Sequence, residues 1–127
     1  IGREVTNGIY KSLRGIHVLP ITEIVTENAF FDFDAKYKGE SNEITPADLT
    51  VEMTDKIKKL TLKVYEILDF SGIARADYII HNREPHLIEI NAVPGQSAES
   101  IIPKMAAQEG VSLKQLFEDV IEVALKG

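Results

Sequence analysis

The stretch from residue 73 to residue 91, Ile-Ala-Arg-Ala-Asp-Tyr-Ile-Ile-His-Asn-Arg-Glu-Pro-His-Leu-Ile-Glu-Ile-Asn, constrains this chain most. Two runs of strand-forming residues, 73–80 and 86–90, flank a short turn at 81–85. Runs this close in sequence pair antiparallel, because a parallel pair needs a crossover of a dozen or more residues. Side chains alternate between the two faces of a strand. Arg75 and Asp77 therefore share a face with Ile79, and Glu89 and Asn91 share one with Leu87. With Ile80 set opposite His86, Asp77 falls opposite Glu89 and Arg75 opposite Asn91, and all four project from one face.

Two carboxylates directly opposite one another repel and weaken a sheet. The arrangement makes sense with a cation between them. Oxygen donors from Asp77, Glu89 and the Asn91 amide suit Mg²⁺, which keeps waters and takes substrate phosphates. Arg75 then stands as a fixed cation beside developing negative charge. The competing reading is a polar outer face in which Arg75 simply pairs with Asp77 or Glu89.

The rest of the chain reads as further strands and helices. Residues 3–10 and 16–25 form a second antiparallel hairpin about a turn at 11–15; Gly8 marks a bulge or close approach, and Pro20 an edge position or a bulge. Residues 26–46 carry Phe30, Phe31, Phe33 and Tyr37 among polar residues without any period, as a binding loop or a structural one. A helix is expected over 50–68, with Ile57, Leu60, Val64 and Ile67/Leu68 as its apolar stripe and Ser71-Gly72 as its stop. A short helix follows over 100–109, with Pro103 in its first turn, and a last helix over 113–125 behind a Ser112/Gln115 capping box. The fold class is α+β, an antiparallel sheet packed by helices.

Composition narrows the chemistry. At 127 residues, 44% hydrophobic and 27% charged, the chain reads as one globular domain. It has no Cys, which excludes disulfides, thiolate metal sites and a Cys nucleophile. His17, His81 and His86 show no ligand spacing, and simple alternation puts His86 on the strand face opposite Glu89, so all three read as structural or solvated. A formal charge of −6 argues against a nucleic-acid backbone binder, and no apolar run is long enough to span a membrane. There is no P-loop and no Gly-x-Gly-x-x-Gly after a strand, so nucleotide binding would need another architecture. Gly95 and Ser100, in the Pro-Gly loop and helix start that follow Asn91, read either as an anion-binding N–H and helix terminus or as an ordinary turn and cap. Lys36 reads as a phosphate-holding point charge or a solvated Lys. The opening Ile1-Gly2-Arg3, without Met, points to a piece of a longer protein.

Several ordered motifs together resemble the C-terminal part of the D-alanine–D-alanine ligases, in the ATP-grasp superfamily. They are Gly2-Arg3-Glu4-Val5-Thr6, Leu19-Pro20-Ile21-Thr22-Glu23-Ile24, Phe30-Phe31-Asp32-Phe33-Asp34-Ala35-Lys36-Tyr37, Gly72-Ile73-Ala74-Arg75-Ala76-Asp77-Tyr78, Ile88-Glu89-Ile90-Asn91-Ala92-Val93-Pro94-Gly95 and Ser100-Ile101-Ile102-Pro103. The resemblance implies the C-terminal part of an ATP-grasp fold and an enzyme that joins two D-alanines through an acyl phosphate, for peptidoglycan precursor synthesis. It implies ATP and two Mg²⁺ as cofactors, with Mn²⁺ as a substitute, and Asp77, Glu89 and Asn91 as the metal ligands. It further implies Arg75 and the Gly95 N–H as oxyanion stabilisers, Tyr37 as the Tyr of a closing lid, Lys36 on a phosphate, Glu4 on the ribose, and Phe30 and Ile88 along the nucleotide. Ser100 and Ile101 match contacts to the second D-alanine. Ala92, Val93 and Gln96-Ser97 depart from the usual residues of the family. Partners are then D-alanine, ATP and the missing N-terminal portion of the same enzyme, with a homodimer as the full-length state and a cytoplasmic location. The segment alone is expected to lack turnover. Another ATP-grasp carboxylate–amine ligase and a non-catalytic acidic binding module are the alternative readings.

Overall fold

A computed structural model describes residues 2–25, 42–92 and 101–126 of the chain. Five strands form one antiparallel sheet: β1 (Arg3–Ser12), β2 (Gly15–Val25), β3 (Asn42–Ile44), β4 (Ala74–His81) and β5 (Glu84–Ala92), in the spatial order β3-β2-β1-β4-β5. Three helices accompany it among the described residues: α1 (Val51–Ile67), α2 (Ile101–Gln108) and α3 (Leu113–Lys126). The α+β architecture expected from the sequence is the one observed, with β1 at its centre. Residues 42–44 add a short strand to β2, where the aperiodic sequence gave only loop.

Alternation divides the sheet into two faces. On one, Val5, Ile21, Ala76 and Tyr78 pack against Ile57 of α1, and Ile9 and Ala74 pack against Tyr65. The buried stripe of α1 is Ile57, Thr61 and Tyr65, spaced by four. The expected stripe ran through Ile67/Leu68, but Ile67 and Leu68 are 69% and 50% exposed. Thr61 replaces an apolar residue because its hydroxyl is fully used. It donates to the Ile57 carbonyl at 3.0 Å and accepts from the Tyr78 hydroxyl at 2.6 Å. Thr50 caps the helix, its side chain accepting from the Met53 N–H at 3.1 Å.

Among the described residues, α2 and α3 pack on the β1–β2 part of the opposite face. Tyr10 and Leu19, on β1 and β2, pack there against Ile102, Met105 and Ala106 of α2 and Leu116 of α3. Gly8 and Pro20 meet at a bulge, with Asn7 opposite Ile21 and Ile9 opposite Val18, so that Leu19 and Pro20 together face Gly8. Both expectations for Gly8 hold. A Cβ there would lie 3.0 Å from Met105 Sδ and 3.1 Å from Leu19 Cδ1, inside the core. The Asn7 side-chain N–H donates to the carbonyl of the bulge residue Leu19 at 2.7 Å. At the start of α3, Ser112 accepts from the Gln115 N–H at 3.1 Å, but the Gln115 amide turns to Asp119 at 2.7 Å, so only half of the capping box forms.

Candidate functional site

The β4–β5 part of the second face is where the polar residues collect. Arg75 lies opposite Asn91 and Asp77 opposite Glu89, as the alternation predicts. The route to this register differs from the expected one. The turn has two residues, Asn82 and Arg83, at φ 53° and 62°, the paired left-handed values of a tight hairpin turn. Ile80 consequently pairs with Pro85, and Ile79 with His86. Pro85 belongs to β5 rather than to the turn, because an edge strand tolerates a missing N–H. A bulge opposite the Asp77/Tyr78 step then leaves Ile88 as the extra residue and returns Asp77 to Glu89.

The bulge overturns two readings of facing. Leu87 pairs with Tyr78 and so leaves the face of Glu89 and Asn91. His86 pairs with Ile79 and joins that face, and its ring stands 6.5 Å from that of His81, centroid to centroid. Both errors have one source: simple alternation from the turn cannot register an inserted residue.

Three rows now cross β1, β4 and β5 on this face: Gly8–Arg75–Asn91, Thr6–Asp77–Glu89 and Glu4–Ile79–His86. Glu4 and Glu89 are exposed, and Ile88 is 56% exposed on the same strand as Glu89. Asp77 is the buried member, at 8%. Its Oδ1 accepts from Thr6 Oγ1 at 2.6 Å and from Arg75 Nε at 3.0 Å, while among the described residues Oδ2 has only Arg75 Nη2 at 3.4 Å. The Asn91 side-chain N–H donates to Glu89 Oε1 at 3.3 Å. That bond uses the amide N–H, and the side-chain oxygen of Asn91 is an acceptor. Arg75 thus pairs with Asp77, as the bland reading also allows, yet the pair does not remove the case for a cation. One guanidinium faces two carboxylates, and Glu89 contacts only Asn91 among the described residues.

The donor set fits a hard cation. Two carboxylates and an amide oxygen on neighbouring strands, about 4.8 Å apart, offer oxygen ligands alone. Among the described residues no three His, Cys, Asp or Glu side chains converge on one point, so any ion here would complete its shell from water or phosphate oxygens.

The remaining expected site residues fall elsewhere. Ile101 opens α2 and is 9% exposed, packed with Tyr10 and Leu19 in the core. Phe30, Lys36, Tyr37, Gly95 and Ser100 lie outside the described residues. Thr6 is the residue at this site that sequence reading passed over. As one more β-former in a strand it gave no signal of its own; only the pairing of β1 with β4 brings it to Asp77.

Comparison with known proteins accords with this geometry. The family described as D-ala D-ala ligase C-terminus matches residues 1–122. D-alanine–D-alanine ligase of Flavobacterium johnsoniae is 45% identical over 124 residues, covering 98% of this chain and 38% of the relative. That of Parabacteroides distasonis is 48% identical over 126 residues, with the same two coverages of 98% and 38%. Among solved structures, D-alanine–D-alanine ligase from Bacillus anthracis complexed with ATP superposes with a TM-score of 0.81 at 28% identity, covering 99% of this chain and 39% of that one. The chain spans less than two-fifths of the length of the relatives it matches. By its strand order, its paired acidic row and these matches, the chain belongs to the D-alanine–D-alanine ligase C-terminal family.

Proposed function

We propose that this chain forms the ATP- and metal-binding face of an ATP-dependent D-alanine–D-alanine ligase, which supplies a dipeptide for peptidoglycan synthesis in the cytoplasm. The observation that carries it is the Asp77–Glu89 pair beside Arg75 and Asn91 on one sheet face, beyond the strands on which α2 and α3 pack. Asp77, Glu89 and Asn91 are the residues to hold Mg²⁺. Mg²⁺ held by them would supply positive charge to offset that of the ATP phosphates.

The chain's own residues do the rest. The carboxylate of one D-alanine takes the γ-phosphoryl group of ATP with release of ADP, and the amine of the second attacks the acyl phosphate, forming the amide, losing a proton and expelling phosphate. Arg75 carries a permanent positive charge. Its side chain is 31% exposed and held by Asp77, so it is oriented before substrate arrives. Such a cation stabilises the oxyanion that forms as the amine attacks, and the Gly95 N–H is its proposed companion. Glu4, exposed on the same face and one row from Asp77, is the proposed acceptor for the ribose hydroxyls. Ile88, 56% exposed, is the proposed apolar contact to the nucleotide. Lys36, Tyr37 and Phe30 complete the proposed nucleotide and lid contacts, and Ser100 with Ile101 those to the second D-alanine. The N-terminal portion of such an enzyme supplies the first D-alanine site, and a homodimer is the proposed assembly.

The test uses the full-length enzyme that contains this segment. With Mg²⁺, ATP and D-alanine it is expected to release phosphate and D-alanyl–D-alanine. Asp77→Asn is expected to lower the rate by about a hundredfold or more, from the loss of a phosphate-clamping charge. The 127-residue chain alone is expected to give no dipeptide. Phosphate release with a different amino acid would replace D-alanine by that substrate. An unimpaired Asp77→Asn enzyme would remove the metal site.

A further inference from the structure

Thr6 sits on the central strand, in the same row as Asp77 and Glu89, and is 1% exposed. A buried hydroxyl needs a partner, and it has one proton to give. Two acceptors are in reach: Asp77 Oδ1 at 2.6 Å and the Ala76 carbonyl oxygen at 3.3 Å. The short contact to a carboxylate is the stronger class of bond, so the proton points at Asp77. Arg75 Nε gives that same oxygen a second donor at 3.0 Å. Oδ1 thereby has two donors. Among the described residues, Oδ2 keeps only the 3.4 Å contact to Arg75 Nη2.

We infer that Thr6 is a positioning residue for the ion site: its hydroxyl pins one oxygen of Asp77 so that the other is presented to a divalent cation. The inference rests on the ion-site reading above. Its mechanical basis is the strand that carries it. β1 is bonded to β2 on one side and β4 on the other, so the Thr6 backbone has no freedom to follow a wandering carboxylate. Without the hydroxyl, Asp77 is oriented, among the described residues, from its own strand only, by an Arg75 side chain that is itself 31% exposed. The carboxylate then samples rotations in which Oδ1 and Oδ2 exchange roles. Val at this position would form a strand equally well and fill nearly the same volume, so strand formation does not explain the hydroxyl.

Mn²⁺ is the probe. Its binding to the full-length enzyme, with a non-hydrolysable ATP analogue present, is read by electron paramagnetic resonance without any turnover. Three variants separate the hydroxyl from the methyl: Thr6→Val, Thr6→Ser and Thr6→Ala. Ser and Ala lack the same methyl group and differ only by the oxygen, so that pair decides the matter even where Thr6→Val fails to fold. Loss of the hydroxyl in the Val and Ala variants is expected to weaken Mn²⁺ binding about 10- to 100-fold, the usual cost of losing a partner that orients a metal ligand, with Ser within about threefold of the unaltered enzyme. In steady state the KM for metal–ATP rises in the same variants while the KM for D-alanine stays. Equal weakening in Ser and Ala, or no weakening in Ala, would overturn the assignment. Unaltered enzyme that holds no Mn²⁺ would overturn the ion-site reading and, with it, this one.

Discussion

The tie between α1 and β4 is testable by a double-mutant cycle on Thr61 and Tyr78. Both side chains are fully buried, and the Tyr78 hydroxyl has the Thr61 oxygen as its partner at 2.6 Å. Thr61→Val removes that acceptor and strands a phenolic O–H in the core. The cost is that of an unmade buried bond, about 1–3 kcal/mol. Tyr78→Phe removes the O–H itself. Thr61 then keeps its bond to the Ile57 carbonyl, and the loss is one neutral hydrogen bond, about 1 kcal/mol. The double variant leaves Val against Phe with nothing polar unpaired, so it is expected to lie within about 1 kcal/mol of the unaltered chain. The cycle should therefore show a coupling energy of about 1–4 kcal/mol, with the double variant more stable than Thr61→Val alone. For a chain of 127 residues each kcal/mol corresponds to roughly 4 °C in the melting temperature. Thermal and urea unfolding followed by circular dichroism resolve differences of that size. Additive losses, with coupling below about 0.4 kcal/mol, would refute the claim that the two hydroxyls share one bond.

Two further outcomes concern pH. Burial pushes the Tyr65 phenol, which donates to the Gly72 carbonyl, up to about 12. Its raised folded-state value means that its contribution is complete below about pH 10 and is lost as pH climbs toward 12, so Tyr65→Phe should flatten the fall in melting temperature across that window. Lys56 Nζ, 2.7 Å from Glu84, holds that carboxyl below its ordinary value near 4.5. The pairing is present at neutral pH and lost as pH falls through the lowered value. Lys56→Met should move the Glu84 titration midpoint upward in a carboxyl NMR experiment, and an unmoved midpoint would discard the pairing.

Much of the site was legible because a strand's period is short and rigid. Asp77 and Glu89 announce a shared face, and the face held. The expected alignment reached Glu89 through two departures that cancel: a turn tighter than expected at Asn82-Arg83 and one residue inserted at Ile88. Neither carries a glycine, the usual mark of such backbone, so neither had a signal in the sequence. His86 was misassigned to the other face for the same reason. The helix stripe was read one position off at Thr61, because residue type shows a polar atom and hides the partner that satisfies it. Thr6 shows the limit most clearly. What distinguishes it from any other strand-forming residue is a neighbour 71 positions away.

That separation has a consequence for how the protein comes into being. β1 with β2 and β4 with β5 are each local hairpins, which form within microseconds of their residues being available. Joining them requires β1 to meet β4 across some 70 residues of chain, an entropic cost on the order of 4 kcal/mol before any contact offsets it. Asp77 and Glu89 can come together inside one hairpin, whereas the hydroxyl that steadies Asp77 arrives only when the two hairpins dock. On the ribosome, β1 waits until β4 has left the exit tunnel. Until then its edge is open, and Thr6 has neither Asp77 nor a buried place to be.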